Sequence, residues 1–328
     1  MFQNKVNITT IGGGTGTYNV LSGLKKNENY NLAAIVTMSD SGGSTGLLRD
    51  EFGVLPPGDI RRAILALSTE SDILRKLFEY RFEKESSVSG HTVGNLLLTA
   101  LADITGDFGD GIKEINKMFK VHGKVVPVTM AQSNLCVQLE NGLEVCGESN
   151  IDVPEHDPNL RIVEAYLEPK VQVNPVAKGV LENSDIIVIG PGDLYTSIVP
   201  NLLVKGVKKS IKNSNAKVVY FCNIMTKHGE TSGFEVQDFV DVIEKYLGEG
   251  ILDYVVVNNG HISDYMTKKY KETEAKKPVK IKEKSRKKLE GQSYKIIERD
   301  MLHEQDFVRH SSKKIASIID DLVEGWVK

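Results

Sequence analysis

The sequence predicts an α/β protein with a mostly parallel β-sheet. Short apolar runs alternate with helix-like segments along most of the 328 residues, which is the pattern of βαβ units. Three glycine-rich turns stand in the first 62 residues, each where a strand is expected to give way to a helix. Helix starts of this kind present free backbone amides, so the fold class already suggests where a ligand would bind.

The first part of the chain alternates between the two element types. Strands are expected at residues 6–11 and 32–38, because both are short apolar runs bounded by turn residues. Helices are expected at residues 18–26, 59–68, 72–81, 92–101 and 111–119.

The periodicity changes after residue 121. Residues 125–130, 135–139 and 143–147 alternate in polarity, with Glu140-Asn141-Gly142 as a hairpin turn. A further strand is expected at residues 161–167. The sequence therefore predicts a small antiparallel insertion at residues 124–169 within one domain that spans residues 1–328.

The α/β pattern then returns and ends in a different kind of segment. Strands are expected at residues 185–189, 217–221 and 253–258, and helices at 176–182, 200–211 and 235–247. Residues 267–288 are rich in lysine and arginine, which we interpret as a solvated surface. With an amphipathic helix at 313–327, residues 261–328 are expected to form a C-terminal extension that closes over the site.

Composition excludes several function classes. A formal net charge of −3 gives no general reason to expect a nucleic-acid or anionic-membrane partner. No apolar run approaches the roughly 20 residues of a membrane span, and the start of the chain does not resemble a signal peptide. Three cysteines, Cys136, Cys146 and Cys222, are expected to be free thiols. We therefore expect a cytoplasmic protein.

The first glycine-rich turn follows the first strand directly. Its glycines are expected to bind phosphate through backbone amides, with hydroxyl donors from Thr15 and Thr17. The turn matches the start of the dinucleotide fingerprint, but Thr17 replaces its last glycine. The phosphate-binding candidates are Gly12, Gly13, Gly14, Thr15 and Gly16.

The second turn follows the second strand and begins with an acid. Asp40 is expected to face a sugar hydroxyl or a metal ion, or to cap the turn itself. Arg49, just beyond the turn, is placed either to bind a phosphate or to pair with Asp50 or Glu51 on the surface. The anion-binding candidates of this turn are Ser41, Gly42, Gly43 and Ser44.

The third turn contains Gly58 and Asp59 and opens another helix. Asp59 is either an N-cap or, with Arg62 three residues later on the same helix face, part of the site. Asn95, near the start of a very apolar helix, is expected to contact a phosphate or a base edge. Two later turns belong to the same rim; their candidates are Gly190, Gly192, Thr196, Ser197 and Asn223.

Ligands of open α/β sheets bind at the carboxyl ends of the strands, where all five turns fall. The chain shows no Walker lysine, catalytic-triad order or paired metal-ligand spacing. If a metal is present, Mg²⁺ held through Asp40 or Asp59 and ligand phosphates is the expected one. The same two carboxylates are the candidate catalytic groups.

These motifs, in this order, resemble those of the gluconeogenesis-factor family, the bacterial branch of the CofD-like superfamily named for 2-phospho-L-lactate transferase. The resemblance covers about the whole chain and rests on Gly12-Gly13-Gly14-Thr15-Gly16, Asp40 to Gly46 with Leu48-Arg49-Asp50, Pro57-Gly58-Asp59-Ile60-Arg61, Gly90-His91-Thr92-x-Gly94-Asn95, Ile189-Gly190-Pro191-Gly192-x-Leu194-Tyr195-Thr196-Ser197 and Cys222-Asn223-x-Met225-Thr226.

The resemblance implies a Rossmann-like three-layer α/β fold and a cytoplasmic homodimer. It implies binding of UDP-sugars such as UDP-N-acetylglucosamine, a link to gluconeogenic growth and cell shape, and kinase and cell-wall-synthesis partners. It also suggests that Tyr270 stacks on the uridine side and that Arg309 meets a phosphate. The family pattern has Asp-Thr after Arg-His where this chain has Ser311-Ser312, which puts a phosphorylation site there in doubt.

Two functions remain open. The first is a nucleotide-sugar sensor without turnover, which end-to-end resemblance to the gluconeogenesis factors favours. The second is a Mg²⁺-dependent transferase of the 2-phospho-L-lactate transferase type, which acts on a nucleoside-diphosphate-linked substrate. In that case Asp40 and Asp59 would serve the metal or the acid–base chemistry, and Asn95 and Asn223 would position phosphates. A structural scaffold with an idle site is a third possibility.

Overall fold

The computed structural model describes residues 5–83 and 86–327. Its strands, numbered in chain order, are β1 (Val6–Gly12), β2 (Tyr30–Val36), β3 (Lys124–Pro127), β4 (Asn134–Leu139), β5 (Glu144–Cys146), β6 (Ile162–Glu168), β7 (Ile186–Ile189), β8 (Lys217–Phe221), β9 (Tyr254–Asn258), β10 (Lys295–Arg299), β11 (Leu302–Glu304) and β12 (Val308–His310).

The helices are α1 (Gly14–Leu24), α2 (Gly43–Phe52), α3 (Pro57–Leu67), α4 (Asp72–Glu79), α5 (Val93–Thr105), α6 (Phe108–Met118), α7 (Glu148–Asp152), α8 (Pro175–Glu182), α9 (Val199–Leu203), α10 (Val207–Asn213), α11 (Val236–Leu247), α12 (Asp264–Thr273), α13 (Glu283–Glu290) and α14 (Ser312–Val327), with a π-helical turn at Leu194–Ile198. Within the described residues, no helix is both long and apolar enough to cross a membrane.

A seven-stranded sheet in the order β10-β9-β8-β7-β1-β2-β3 forms the centre of the molecule. All of its strand pairs are parallel. The four residues of β7 are all buried, as expected of a strand covered by helices on both faces. The predicted α/β class with a parallel sheet is therefore confirmed, together with a small antiparallel sheet and a C-terminal helix.

The antiparallel sheet is smaller than predicted. It contains β5, β4 and β6 only, whereas β3, at the start of the predicted insertion, pairs in parallel with β2. Val125 and Val126 are both buried, so this short run behaves as a strand of the main sheet rather than as a two-faced hairpin strand.

Three other expectations need correction. The helix expected at residues 200–211 is divided into α9 and α10, because Gly206 adopts a left-handed conformation (φ +108°) between them. Strand β10 was not predicted; it is an edge strand with charged side chains that break its apolar pattern. Cys136 and Cys146, expected as free thiols, lie opposite each other on β4 and β5 and form a disulfide, whereas Cys222 is free and buried.

Candidate functional site

The sheet has a topological switch point between β1 and β7. From β1 the chain continues to β2 on one side, whereas β7 to β10 extend the sheet on the other side. The turns that follow β1 and β7 therefore leave the same sheet edge in opposite directions, and a crevice opens between them. Gly12 to Thr17 and Gly190 to Ser197, two of the predicted ligand turns, flank this crevice.

Two adjoining cavities occupy the carboxyl edge of the sheet. The first, here named the acidic cavity, has a volume of about 570 Å³ and includes Asp40, Asp59 and Glu148 in its wall. The second, the C-terminal cavity, has a volume of about 410 Å³ and includes Tyr270 and Arg309. Both are lined by the glycine turns, through Thr15, Gly16, Gly192 and Asp193. The cavities therefore form one groove with the glycine turns at its middle.

Most of the predicted site residues line this groove. Those in the acidic cavity are Gly13, Gly14, Thr15, Gly16, Asp40, Gly42, Gly43, Ser44, Gly58, Asp59, Arg62, Asn95, Gly192, Thr196 and Ser197. Asn223, Tyr270 and Arg309 line the C-terminal cavity.

Four predicted residues lie behind the groove wall rather than on it. Gly12 ends β1, and its carbonyl oxygen accepts a hydrogen bond from Asn201 Nδ2 at 3.3 Å. Gly190 N donates to the Ile11 carbonyl at 3.0 Å and joins the two central turns. The Ser41 hydroxyl lies 3.2 Å from the Ser149 hydroxyl. These residues shape the turns that do face the cavities.

Arg49 is the fourth of these residues. Its Nε donates to Asp50 Oδ1 and its Nη1 to Asn134 Oδ1, each at 3.1 Å. Arg49 thus pairs with Asp50, one of its two expected roles, and also contacts Asn134 at the start of β4 in the antiparallel sheet. It is not among the residues that line either cavity.

The close approach of the turns depends on glycine. A Cβ on Gly13 would overlap the carboxylate of Asp59, and a Cβ on Gly16 would overlap the carbonyl group of Pro191. Gly14, at the first position of α1, adopts a left-handed conformation (φ +62°). The N-cap residue Gly13 has no side chain to cap α1, and Gly14 N donates to the Asp59 carboxylate, so the amides of Thr15 and Gly16 are the ones left without intrahelical partners at the groove.

The carboxyl groups of the half-buried Asp40 and the buried Asp59 line the same cavity. Asp40 Oδ1 accepts a hydrogen bond from Gly42 N at 2.9 Å, and Arg62 Nη1 lies 3.5 Å from Asp59 Oδ1. Burial, followed by the neighbouring charge of Asp40, raises the pKa of Asp59 to about 6. Burial also raises the pKa of Asp40. Two such groups repel each other when ionised, and a cation between them would relieve this repulsion.

A second charged cluster was not predicted from the sequence. Glu148 and Asp152 come from α7 in the antiparallel insertion and line the acidic cavity with Asp193. Burial, with the charges of Asp40 and Asp152, raises the pKa of Glu148 to about 8. A local signal existed only for Asp193, which stands inside the motif of residues 190–197.

Lys227 connects this cluster to the C-terminal cavity. Its Nζ pairs with Asp152, with Asp193 Oδ2 at 2.8 Å and with the fully buried Glu230 at 3.0 Å. Burial alone would lower the pKa of Lys227, but the three carboxylates together raise it. Glu230 also accepts hydrogen bonds from Tyr195 N at 3.1 Å and from the Thr196 hydroxyl at 3.0 Å. The cluster thus ties the turn after β7 to the insertion.

Asn95 holds other groove residues in place. Its Oδ1 accepts a hydrogen bond from Arg61 Nε at 3.0 Å, and its Nδ2 donates to the Ser44 hydroxyl at 3.2 Å. The Ser44 hydroxyl also lies 2.9 Å from His91 Nδ1. Asn95 therefore positions Arg61 and Ser44, and its contact with a phosphate or a base edge stays a prediction, because the residue also lines the acidic cavity.

The C-terminal cavity is lined by aromatic, amide and basic side chains. The Tyr270 hydroxyl accepts a hydrogen bond from Val308 N at 3.1 Å, and the Arg309 guanidinium lies 5.0 Å from the Phe307 ring centre. Asn223 Nδ2 donates to the Gly192 carbonyl at 2.8 Å, whereas its buried Oδ1 has no partner among the described residues.

His310 closes the back of the same cavity. Its Nε2 lies 3.2 Å from the carbonyl oxygen of Cys222 and donates to it. Burial lowers the pKa of His310 to about 4, so the imidazole is neutral at physiological pH. Asn19 Nδ2, from α1, donates to the His310 carbonyl at 3.1 Å.

The fold and the groove together define a Rossmann-like α/β protein with a candidate ligand groove at the switch point of its sheet. The family model for 2-phospho-L-lactate transferase CofD matches residues 8–302. The chain belongs to the CofD family and, within it, to the gluconeogenesis factors.

Relatives of nearly the same length support this assignment. The gluconeogenesis factor of Halalkalibacterium halodurans is 41% identical over 97% of this chain and 96% of its own. That of Bacillus subtilis is 40% identical over 98% and 99%. A crystal structure of a Bacillus halodurans protein, 40% identical, superposes with a TM-score of 0.90 over 96% of this chain and 99% of that one.

Proposed function

We propose that this protein is a cytoplasmic regulator of carbon metabolism and cell shape that binds a nucleotide sugar of the UDP-N-acetylglucosamine type. The name of its relatives, gluconeogenesis factor, supports a role in carbon metabolism. The glycine turns at the middle of the groove, with one cavity on each side, support a ligand with an anionic centre and a substituent at each end. UDP-sugars have this composition.

The observation that carries the proposal is the position of the glycine turns at the middle of the groove. Thr15, Gly16 and Gly192 line both cavities, so a ligand that fills the groove places its centre against the start of α1. A diphosphate is the group best stabilised at a helix start with free amides. The two cavities then receive the two substituents of the diphosphate.

The C-terminal cavity is the better site for the nucleoside. Tyr270 supplies an aromatic side chain there, and Asn223 adds an amide to the same lining. Arg309, also in this cavity, is placed to neutralise a phosphate.

A Mg²⁺-dependent transferase of the 2-phospho-L-lactate transferase type is the second candidate. The Asp40–Asp59 pair favours it, because two carboxylates in one cavity offer the hard oxygen ligands that Mg²⁺ prefers. Burial raises the pKa of both groups, and the charge of Asp40 adds to the shift of Asp59, so a bound cation would stabilise their ionised forms. Mg²⁺ bound there would neutralise diphosphate charge as a nucleotide leaves, while Arg62 would orient the phosphates.

Calorimetric titration distinguishes the two candidates. The purified protein is titrated with UDP-N-acetylglucosamine and, separately, with GTP, each with and without Mg²⁺. Saturable binding of the UDP-sugar, with the ligand unchanged after long incubation, supports the regulator. Binding of GTP only in the presence of Mg²⁺, without a UDP-sugar signal, supports the transferase.

A charge reversal tests the role of the C-terminal segment in the same assay. Arg309→Glu should weaken UDP-N-acetylglucosamine binding by about tenfold or more, because a phosphate would then meet a carboxylate. Lys287→Glu, an exposed reversal on α13 outside the groove lining, is the control and should bind like the wild type. Equal binding by Arg309→Glu and wild type would remove Arg309 from the ligand site.

A further inference from the structure

We infer that α7, the short helix of the antiparallel insertion, recognises the glycosyl group of the bound nucleotide sugar, with Glu148 as its main contact. This inference rests on the proposed function. In this inference the insertion, rather than the parallel part of the fold, selects the glycosyl group of the ligand.

The direction of the groove places the glycosyl group beside α7. A nucleotide sugar has its diphosphate between the nucleoside and the sugar. If the diphosphate lies against Thr15 and Gly16 and the nucleoside lies beside Tyr270, the sugar extends into the acidic cavity. Glu148, Ser149 and Asp152 form part of that cavity and do not line the other one.

The chemistry of this wall suits hydroxyl groups rather than phosphate. Glu148, Asp152 and Asp193 present carboxyl oxygens, which accept hydrogen bonds from sugar hydroxyl groups and, when ionised, repel a phosphate. Three arginines line the same cavity: Arg61 and Arg62 belong to α3, and Arg81 follows α4, so all three lie outside the insertion. Phosphate recognition and glycosyl recognition therefore come from different segments of the chain.

Backbone and side-chain contacts hold α7 in this position. Gly147 N donates to the Leu135 carbonyl on β4 at 2.8 Å, and Ser149 N donates to the Ser41 hydroxyl at 3.2 Å. Ser41 N in turn donates to the Glu148 carboxylate. The insertion thus reaches across to the second glycine-rich turn, where its carboxylate can meet a ligand already held by that turn.

The test compares binding of UDP with binding of UDP-N-acetylglucosamine. Glu148→Gln keeps the volume of the side chain and replaces one carboxyl oxygen with an amide NH₂ group, which cannot accept a hydrogen bond. We expect its affinity for UDP to stay within about twofold of wild type, whereas the preference for UDP-N-acetylglucosamine over UDP falls about tenfold, as for the loss of one hydrogen bond. Glu155→Gln, an exposed change just beyond α7, should leave both affinities unchanged.

Three outcomes contradict parts of this account and are distinguishable. If wild type binds neither ligand, the proposed function fails and the inference with it. If wild type binds both ligands and Glu148→Gln keeps the full preference for the UDP-sugar, only the assignment of α7 is wrong. If Glu148→Gln lowers the affinities for UDP and for the UDP-sugar by the same factor, Glu148 only positions the Ser41 turn for phosphate. Glycosyl recognition by this residue is then excluded. Thermal unfolding of each variant establishes that it is folded.

Discussion

The carboxylate of Asp59 lies against the backbone of Gly13 so closely that no side chain fits between them. Gly13 immediately precedes α1, and Asp59 lies in the first turn of α3. The contact brings a buried acid to a helix start, and Gly14 N donates a hydrogen bond to it. The first and third glycine-rich turns are therefore parts of one site.

Gly13→Ala should disturb this contact. The added methyl group would displace Asp59 or α1, and overpacking of this kind costs about 1–3 kcal/mol of unfolding free energy. Urea unfolding measures the change. Gly179→Ala on α8 is the control, because a Cβ there meets open space and should stabilise the helix by about 0.5–1 kcal/mol. If Gly13→Ala is as stable as wild type, the space between Gly13 and the Asp59 carboxylate accommodates a methyl group.

The pH dependence of stability should report on Glu148. Its pKa is raised from 4.5 to about 8, first by burial and then by Asp40 and Asp152. Between these pH values the folded protein keeps a proton that the unfolded chain releases, so this residue lowers stability as pH rises through the window. The unfolding free energy of Glu148→Gln minus that of wild type should therefore increase with pH. It should be larger at pH 8 than at pH 5 by about 1 kcal/mol or more.

Urea unfolding at several pH values between 5 and 8 measures this difference. Glu155→Gln, at an exposed position, should show the same pH trend as wild type. A constant difference between wild type and Glu148→Gln across the whole range would contradict a raised pKa for this carboxyl group.

The glycine turns were predictable because their signals are local. Gly13 and Gly16 stand directly after an apolar strand run, and the rule that ligands meet carboxyl strand ends places such turns together. What the sequence cannot supply is the identity of distant neighbours. Arg49 had two plausible partners, and the choice depends on Asn134, which only the folded insertion brings close.

The acidic half of the groove shows the same limit. Glu148 and Asp152 lie on a helix of five residues, too short to show a periodic pattern, and they reach Asp40 only through the fold. Lys227 and Glu230 follow a motif that the sequence did single out, but their partners, Asp152 and Asp193, are far away in the chain. Charged clusters assembled by tertiary contacts leave no local signal.

Acidification should destabilise the protein through His310. Burial lowers its pKa from 6.5 to about 4, so the unfolded chain binds a proton in this interval that the folded protein does not. The unfolding free energy is therefore unaffected by this histidine above pH 6.5 and falls as the pH drops from 6.5 towards 4. Between pH 7 and pH 4.5 the unfolding free energy of wild type should therefore fall by roughly 1–3 kcal/mol more than that of His310→Gln.

Chemical unfolding at the two pH values tests this prediction. His303→Gln, an exposed change on β11, is the matched control and should follow the wild-type pH dependence. If His310→Gln loses as much stability as wild type on acidification, the imidazole is not held neutral by burial.

The disulfide between Cys136 and Cys146 should stabilise the insertion that carries α7. The two cysteines are separated by 10 residues and oppose each other on β4 and β5. Closing a loop of this length removes conformational freedom from the unfolded chain, which corresponds to about 3 kcal/mol. A reducing agent should therefore lower the unfolding free energy of wild type by about this amount, whereas the double variant Cys136→Ser/Cys146→Ser should be insensitive to it. Thiol titration of the denatured, unreduced protein should detect Cys222 alone, and detection of three thiols would mean that the pair is not oxidised in the purified protein.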